Sequence, residues 1–406
     1  MKRALCAILF IVVSGCSKET QVTQALAPRE LIPPNDVLAQ FVPHIQYSVV
    51  KLPSLGGTIS RGNSINERGW IAGTSFISNN AARHAALWRE GSVLDLGTLG
   101  GPTLNSSVQW PGQNNQGMVV GISQTAVDDT LGEPWSCSAF LPFLGKTCVG
   151  FFWENGLMTA LPTLGGDNGF ATGVNNLGQV VGWAETKVHD PTCDEPQVLQ
   201  FLAVMWEPKK GTKTVLRPLK GDSASAATAI NDRGQAVGIS GECDVAVGRF
   251  SARHAVIWEK GETNEIPNLG GISWHTPMAI NELGDVVGFS NPPGDPNGEF
   301  IVHAFLWTRR GGIKDLGTLP GDSTSQALGV NARGQVVGLS TSKAGTNRAF
   351  IWQDDVMTDL QKLMLPGFAD SLISAQDIND HGRITGRLFD RASGQLVTYV
   401  ATPIPR

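Results

Sequence analysis

Charge is scarce in this sequence: Asp, Glu, Lys and Arg make up 17% of its 406 residues, and the formal net charge is −5. Basic clusters are missing beyond the pairs Lys209-Lys210 and Arg309-Arg310, each of which precedes a glycine. A nucleic-acid binder needs a basic surface to displace counterions from phosphates, so nucleic acid is excluded as a partner. Long apolar runs are missing too. The run over residues 4–13 is too short to cross a bilayer as a mature helix. Familiar catalytic signatures are also lacking, since neither Gly-x-Ser-x-Gly nor His-Glu-x-x-His occurs. Without a Cys-x-x-Cys spacing, a four-cysteine zinc site is disfavoured. The Gly-Asp turns at Gly166-Asp167, Gly221-Asp222 and Gly321-Asp322 lack the lysine, the calcium-loop spacing or the following helix that a phosphate or metal site requires. No cofactor and no metal are therefore expected.

What the chain does have is a folded composition, with 41% hydrophobic residues and 48 glycines, 23 prolines and 11 tryptophans scattered along it. That pattern predicts many short strands joined by tight turns. The organising feature is Asn-x-x-Gly-x-x-x-Gly, which begins at Asn66, Asn114, Asn175, Asn231, Asn281, Asn331 and Asn379. Each copy is followed by an apolar segment ending in an aromatic, Trp at 88, 153, 206, 258, 307 and 352 and Tyr399 in the last copy. A third segment follows, of the type Asp315-Leu316-Gly317-Thr318-Leu319. The period is that of a propeller blade.

Within one repeat, Asn-x-x-Gly suits a type I turn joining strand A to strand B, the aromatic ends strand C, and the Asp-Leu-Gly pattern lies on strand D. Strands B and C read as almost continuous apolar runs, as expected of sheets covered on both faces. The recurring Trp is read as filler opposite the strand-B glycine. Two residues before the Asn stand Ser64, Gly112, Gly173, Ala229, Ala279, Gly329 and Asp377, all tiny but the last, which fits an inner strand crowded by its neighbours. The last repeat lacks a D strand, whereas residues 48–57 carry the D pattern ahead of the first Asn-x-x-Gly. The predicted fold is an all-β, seven-bladed β-propeller of four-stranded antiparallel blades over residues 46–406, its last blade closed by the N-terminal strand. An open array of hairpins is the alternative.

The repeats resemble the HAF repeat of extracellular bacterial proteins, the likeness resting on motifs such as His303-Ala304-Phe305 and spanning roughly residues 46–402. The resemblance implies export but transfers no catalytic residue. The chain start, basic at Lys2-Arg3, then apolar, then small, has the order of an export signal over residues 1–15. Val13-Ser14-Gly15-Cys16 resembles a lipobox, which implies a lipid on Cys16, residues 16–45 as a flexible tether, and anchorage in the cell envelope, at the outer membrane if the cell has one.

In such a compartment Cys137, Cys148, Cys193 and Cys243 are disulfide candidates. Of the three pairings, Cys137–Cys148 and Cys193–Cys243 are favoured, because the first closes a short loop and the second joins equivalent loops of neighbouring repeats. His84, His254 and His303 recur four residues before the Trp and are read as structural. The connections from Gly121 to Trp153, Gly182 to Trp206 and Gly238 to Trp258 are the long ones, and they lie on the face opposite the Asn turns. Loops on a rigid scaffold carry function. The candidate binding residues are therefore Trp110, Trp135, His189, Trp274 and His275, together with Asp377 near the axis. The expected function is a monomeric, membrane-anchored binding or scaffold module for an extracytoplasmic protein or glycan. The alternative is a glycan-cleaving propeller enzyme, which would draw on Asp377, Asp128, Asp129, Asp190, Asp222 and Asp244 if two of these carboxylates converged. A third possibility, a purely structural envelope protein, predicts a face without a pocket.

Overall fold

The computed structural model describes residues 45–133, 135–244 and 247–404. The export signal, the lipobox cysteine Cys16 and nearly all of the tether lie outside the described residues. Ile45–Arg406 forms a compact unit of its own. Among the described residues it is all-β, with one four-residue α-helix, Trp135–Ser138, and three single-turn 3-10 helices.

Five four-stranded antiparallel sheets follow one another in chain order: Ser106–Ser107 to Leu157–Ala160, Gly169–Val174 to Thr212–Leu216, Ala224–Ile230 to Glu262–Ile266, Thr276–Ile280 to Gly312–Gly317, and Asp322–Val330 to Val356–Asp359. A sixth sheet has eight strands, contributed by both ends of the chain. Its first half holds Gly56–Ile65, Ile71–Ile77, Arg83–Arg89 and Ser92–Asp95 of repeat 1. Its second half holds Ser371–Ile378, Ile384–Asp390 and Gln395–Ile404 of repeat 7, with Gln46–Lys51 paired antiparallel to Gln395–Ile404 from Gln46↔Ile404 to Lys51↔Tyr399. One parallel bridge, Ile59↔Leu396, links the halves.

The Asn-x-x-Gly segment folds as its residues require. In every repeat the glycine N–H donates to the Asn carbonyl, and the Asn N–H donates to the carbonyl four residues on, both at 2.9–3.2 Å. The turn glycine has φ between +73° and +89° in all seven copies, a region that L side chains avoid. The Asn Oδ1 accepts the N–H groups two and four residues ahead, as Asn231 does from Arg233 and Gln235. The side chain thus tightens its own turn.

The strand-B glycine has a different cause from the one the sequence suggests. It does not face the Trp: Gly182 pairs with Val204, two residues before Trp206, while Trp206 pairs with Val180. In six repeats strand A carries a bulge three residues before the Asn, as between Ala171 and Gly173. A Cβ on Gly182 would stand 1.9 Å from the Phe170 carbonyl oxygen of that strand, and one on Gly338 would stand 1.9 Å from that of Gln326. Backbone, not indole, claims the space. In three repeats the Trp instead bonds the segment before its own sheet through Nε1: Trp88 to Pro53 O at 2.6 Å, Trp206 to Pro162 O at 2.9 Å, Trp258 to Arg217 O at 2.7 Å. In these three repeats the ring buries its apolar face in its own sheet and ties its polar edge to the segment before it.

The recurrent histidines each brace strand C to strand D of their own sheet, through His84–Asp95 at 2.9 Å, His254–Glu265 at 2.8 Å and His303–Asp315 at 2.9 Å. The cysteines are joined as Cys137–Cys148 and Cys193–Cys243, which leaves none of the four for zinc. Such bonds are characteristic of an oxidising, extracytoplasmic environment. Among the described residues no helix is long and apolar enough to cross a membrane.

Candidate binding surfaces at the two ends of the Asn ring

Beyond its own turn, each repeat Asn uses its remaining donor on the next repeat. Asn66 Nδ2 donates to Asn114 O, Asn114 to Asn175, Asn175 to Asn231, Asn231 to Asn281, Asn281 to Asn331, Asn331 to Asn379, and Asn379 back to Asn66, all at 3.0–3.1 Å. All seven side chains are buried. The residue after each Asn builds a second circle, in which a side chain accepts the equivalent N–H of the preceding repeat, as Asp380 N–H to Glu67 Oε1 at 3.0 Å. This circle is broken only where Ala332 offers no acceptor to Glu282.

Between these circles lies a cavity of about 240 Å³, walled by Ile65, Val174, Ile230, Ile280, Val330 and Ile378, with Gln113 as the polar exception and Glu67, Asp232, Glu282 and Asp380 at its rim. Burial, then repulsion from Asp232 and Asp380, pushes the Glu282 carboxyl up. Arg68, Arg233 and Arg333 follow in the same turns and offset these carboxylates. The position after the Asn, acidic in four of seven repeats, was the available signal for this rim.

Asp377 belongs to this end and serves as a clamp. Its Oδ2 accepts Ile65 N–H at 2.8 Å and its Oδ1 accepts Ile378 N–H at 2.9 Å, so one carboxylate holds repeat 7 to repeat 1. Gly329 makes room for it, since a Cβ there would lie 2.9 Å from Oδ1. Burial, aided by Glu67 and opposed by the two N–H groups, raises the Asp377 pKa to about 7. A carboxyl whose folded pKa lies above its unfolded one binds more protons folded than unfolded between those values, so the contribution of Asp377 to stability is fully present in acid and is lost as pH rises toward about 7. The fall between about pH 4 and 7 is expected to be on the order of 4 kcal/mol. Asp377→Asn should flatten that slope in urea midpoints measured across the interval; an unchanged slope would assign it to other groups.

The long connections meet at the opposite end. Trp110 is buried there, its ring centroid 5.2 Å from those of both Phe140 and Phe170 and 6.1 Å from that of Trp183. Its Nε1 points at Met278 Sδ, 3.3 Å away. It is a core residue of the loop face, not an exposed stacking platform. Trp274 is half-buried, with its Nε1 on Gly298 O at 2.9 Å and its ring edge-on to Phe300. His275 is buried, bonded to Ser290 Oγ at 2.7 Å, and burial lowers its pKa to about 4. It is neutral at physiological pH. His189 is exposed at the end of Val180–His189. Trp135 opens the short helix, and its side chain lies outside what is described. The structure therefore spreads these residues over the loop face without gathering them round one pocket.

The candidate catalytic carboxylates are engaged one by one. Asp128 pairs with Lys146, Asp129 accepts the Leu131 and Gly132 N–H groups, Asp190 takes the Thr192 N–H and hydroxyl, Asp222 the Ser240 hydroxyl, and Asp244 the Phe250 N–H. Among the described residues no group of three or more His, Cys, Asp or Glu is arranged to hold a metal.

No protein-family model and no curated protein matches the chain. Among solved structures it is similar to an acylaminoacyl peptidase from Pyrococcus horikoshii, at 9% identity and a TM-score of 0.44, over 88% of this chain and 54% of that one. It is similar as well to a gluconolactonase from Xanthomonas campestris, at 9% identity and a TM-score of 0.37, over 89% and 91% of the two chains. A third is TolB from Acinetobacter baumannii, at 10% identity and a TM-score of 0.39, over 92% and 83%. The chain spans about half the length of the acylaminoacyl peptidases it matches.

Proposed function

We propose that this chain is an envelope lipoprotein, anchored through lipid on Cys16, whose residues 46–406 form a closed seven-bladed propeller of the HAF-repeat type. It acts as a monomeric binding or scaffold module through its loop-rich face. The unbroken circle of seven Asn bonds and the pairing of Gln46–Lys51 with Gln395–Ile404 support the closed ring.

The observation that carries the binding reading is that the long loops are stitched into one surface. Cys193 of repeat 3 is bonded to Cys243 of repeat 4, and Asp194 N–H donates to Asp244 O at 2.8 Å while Asp244 N–H donates to Thr192 O at 2.9 Å. Glu133 of the repeat 2 loop accepts the N–H groups of Val198 and Leu199 in repeat 3, at 2.7 and 2.5 Å. A loop surface fixed before its partner arrives loses little entropy on binding. Binding is favoured over glycan cleavage because each candidate carboxylate is already committed to a loop or clamp, whereas glycosidases need an acid and a base both turned toward substrate.

Two measurements test this. Cys16→Ser is expected to move the protein from the membrane to the soluble fraction. The purified protein, applied to a glycan array and to envelope extracts, is expected to retain a ligand. Retention of the Cys16→Ser protein in membranes would remove the anchor from the proposal, and failure to bind in either format would remove the binding role.

A further inference from the structure

Three guanidinium groups converge where the loop-rich end of the inner strands meets repeats 7, 1 and 2. Arg61, on the innermost strand of repeat 1, donates through Nε to Asn63 Oδ1 at 3.0 Å and through Nη2 to Gln109 Oε1 of repeat 2. Gln109 Nε2 in turn donates to the Phe140 carbonyl, and the same carbonyl accepts from Arg83 Nη2. One carboxamide and one carbonyl therefore hold Arg61 and Arg83 side by side. Arg387 approaches from repeat 7. Its strand neighbour Thr385, two residues before it and so on the same strand face, abuts Gly62 of repeat 1, where a Cβ would lie 2.2 Å from the Thr385 hydroxyl.

Among the described residues the cluster has no anion beside it. Every hydrogen-bond partner of Arg61 and Arg83 is a neutral amide or carbonyl oxygen. Arg387 makes no hydrogen bond or ion pair among the described residues, and the Nε atoms of Arg83 and Arg387 are buried without a partner. Burial first, and then repulsion from Arg387 and Arg83, lowers the Arg61 pKa to about 9; burial and Arg387 lower that of Arg83 to about 10. Arg61 and Arg83 therefore still carry their charge at neutral pH, and a guanidinium as a class keeps its proton in proteins. Three partly buried like charges repel, and a low-dielectric wall strengthens the repulsion. An oxyanion placed among them would meet unused N–H donors in the fork geometry that carboxylates, sulfates and phosphates share.

We propose that Arg61, Arg83 and Arg387 form an oxyanion site at the inner end of the loop-rich face, which takes a carboxylate, sulfate or phosphate group of the ligand bound by that face. The inference rests on the reading of this face as the binding face, and it names the group recognised there.

The test is calorimetric titration of the full-length protein in detergent with glucuronate, sulfate and inorganic phosphate, with methyl glucoside as the neutral control, all at one ionic strength set with chloride. At least one oxyanion is expected to bind saturably while the neutral sugar does not, and the preferred probe distinguishes an acidic sugar from a sulfate or phosphate ester. Arg387→Gln is expected to weaken that binding at least tenfold. Without ligand the variant should melt at the same temperature as the parent or higher, because it removes a charge with no internal partner. Arg387→Lys, a point charge without the fork, should fall between the two. No saturable binding by the parent, or unchanged binding by Arg387→Gln, overturns the oxyanion site. If array or extract binding depends on the loop face but is unmoved by Arg387→Gln, the oxyanion site falls and the binding face stands. If that binding is indifferent to the loop face, both fall.

Discussion

Removing Gln46–Lys51 is expected to prevent the chain from reaching its native state, although only six residues are lost. The strand supplies the outer edge of the last sheet, in register with Gln395–Ile404 over its full length. It also supplies Tyr47, which is 1% exposed and packs with Leu360, Met364, Leu372 and Tyr399. The Tyr47 carbonyl accepts Leu365 N–H, so the short turn after Val356–Asp359 loses its anchor too. Deletion would leave Gln395–Ile404 with an unpaired edge and uncovered apolar side chains, next to the parallel β-bridge Ile59↔Leu396 between repeats 1 and 7. Domains of ordinary stability have about 5–15 kcal/mol to lose, and this combination consumes most of it.

The effect is separable residue by residue. Tyr47→Ala should cost about 4 kcal/mol, the usual loss for a large buried aromatic. Val50→Ala, on the same strand but 57% exposed, should stay within about 0.5 kcal/mol. Denaturant midpoints of the three variants check the ranking. A deletion variant with the parental midpoint would show that the N-terminal strand is an ornament and not part of the ring.

Much of this was readable before any coordinates, and the reason is that repeats are written in backbone requirements. Asn-x-x-Gly demands a tight turn wherever it stands, and the small residues at 64, 112, 173, 229, 279 and 329 show how little room the inner strands leave. Gly173 lies against Ala229, its counterpart in the next repeat, at a distance a Cβ would reduce to 3.1 Å. The unread part lies between repeats. An Asn that satisfies its own turn gives no hint that its Nδ2 reaches the next repeat, because that depends on how sheets stand side by side. Asp377 looked like an active-site acid since it broke the small-residue rule, yet the break serves the junction of first and last repeats. Trp110, four residues before its Asn, owes its place to a buried aromatic cluster with Phe140, which a long loop brings from elsewhere in repeat 2. The arginine cluster was invisible for the same reason: Arg61, Arg83 and Arg387 occupy unrelated repeat positions and meet only when repeats 7, 1 and 2 are adjacent.

The loop face offers the second large effect. Replacing Cys193 and Cys243 together by alanine should destabilise the protein by about 4 kcal/mol, and replacing Cys137 and Cys148 by about 3 kcal/mol, as expected when bridges spanning 50 and 11 residues no longer restrict the unfolded chain. The order matters more than the values. Cys193–Cys243 joins two repeats, so its loss frees the loops that Asp194 and Asp244 otherwise pair across, while Cys137–Cys148 ties a loop to a strand of its own sheet. Cys137, Cys148 and Cys243 also sit in the apolar cluster around Trp110, which is why alanine is the substitute of choice over serine: a hydroxyl there would need a partner the cluster does not offer. If the loops form one prearranged surface, the Cys193/Cys243 double variant should lose ligand on the array at temperatures well below its melting transition, whereas the Cys137/Cys148 variant should hold it longer. Equal losses of binding in the two variants, or binding that survives both up to the melting point, would mean that the face owes its shape to the sheets beneath it and not to the covalent brace between repeats 3 and 4.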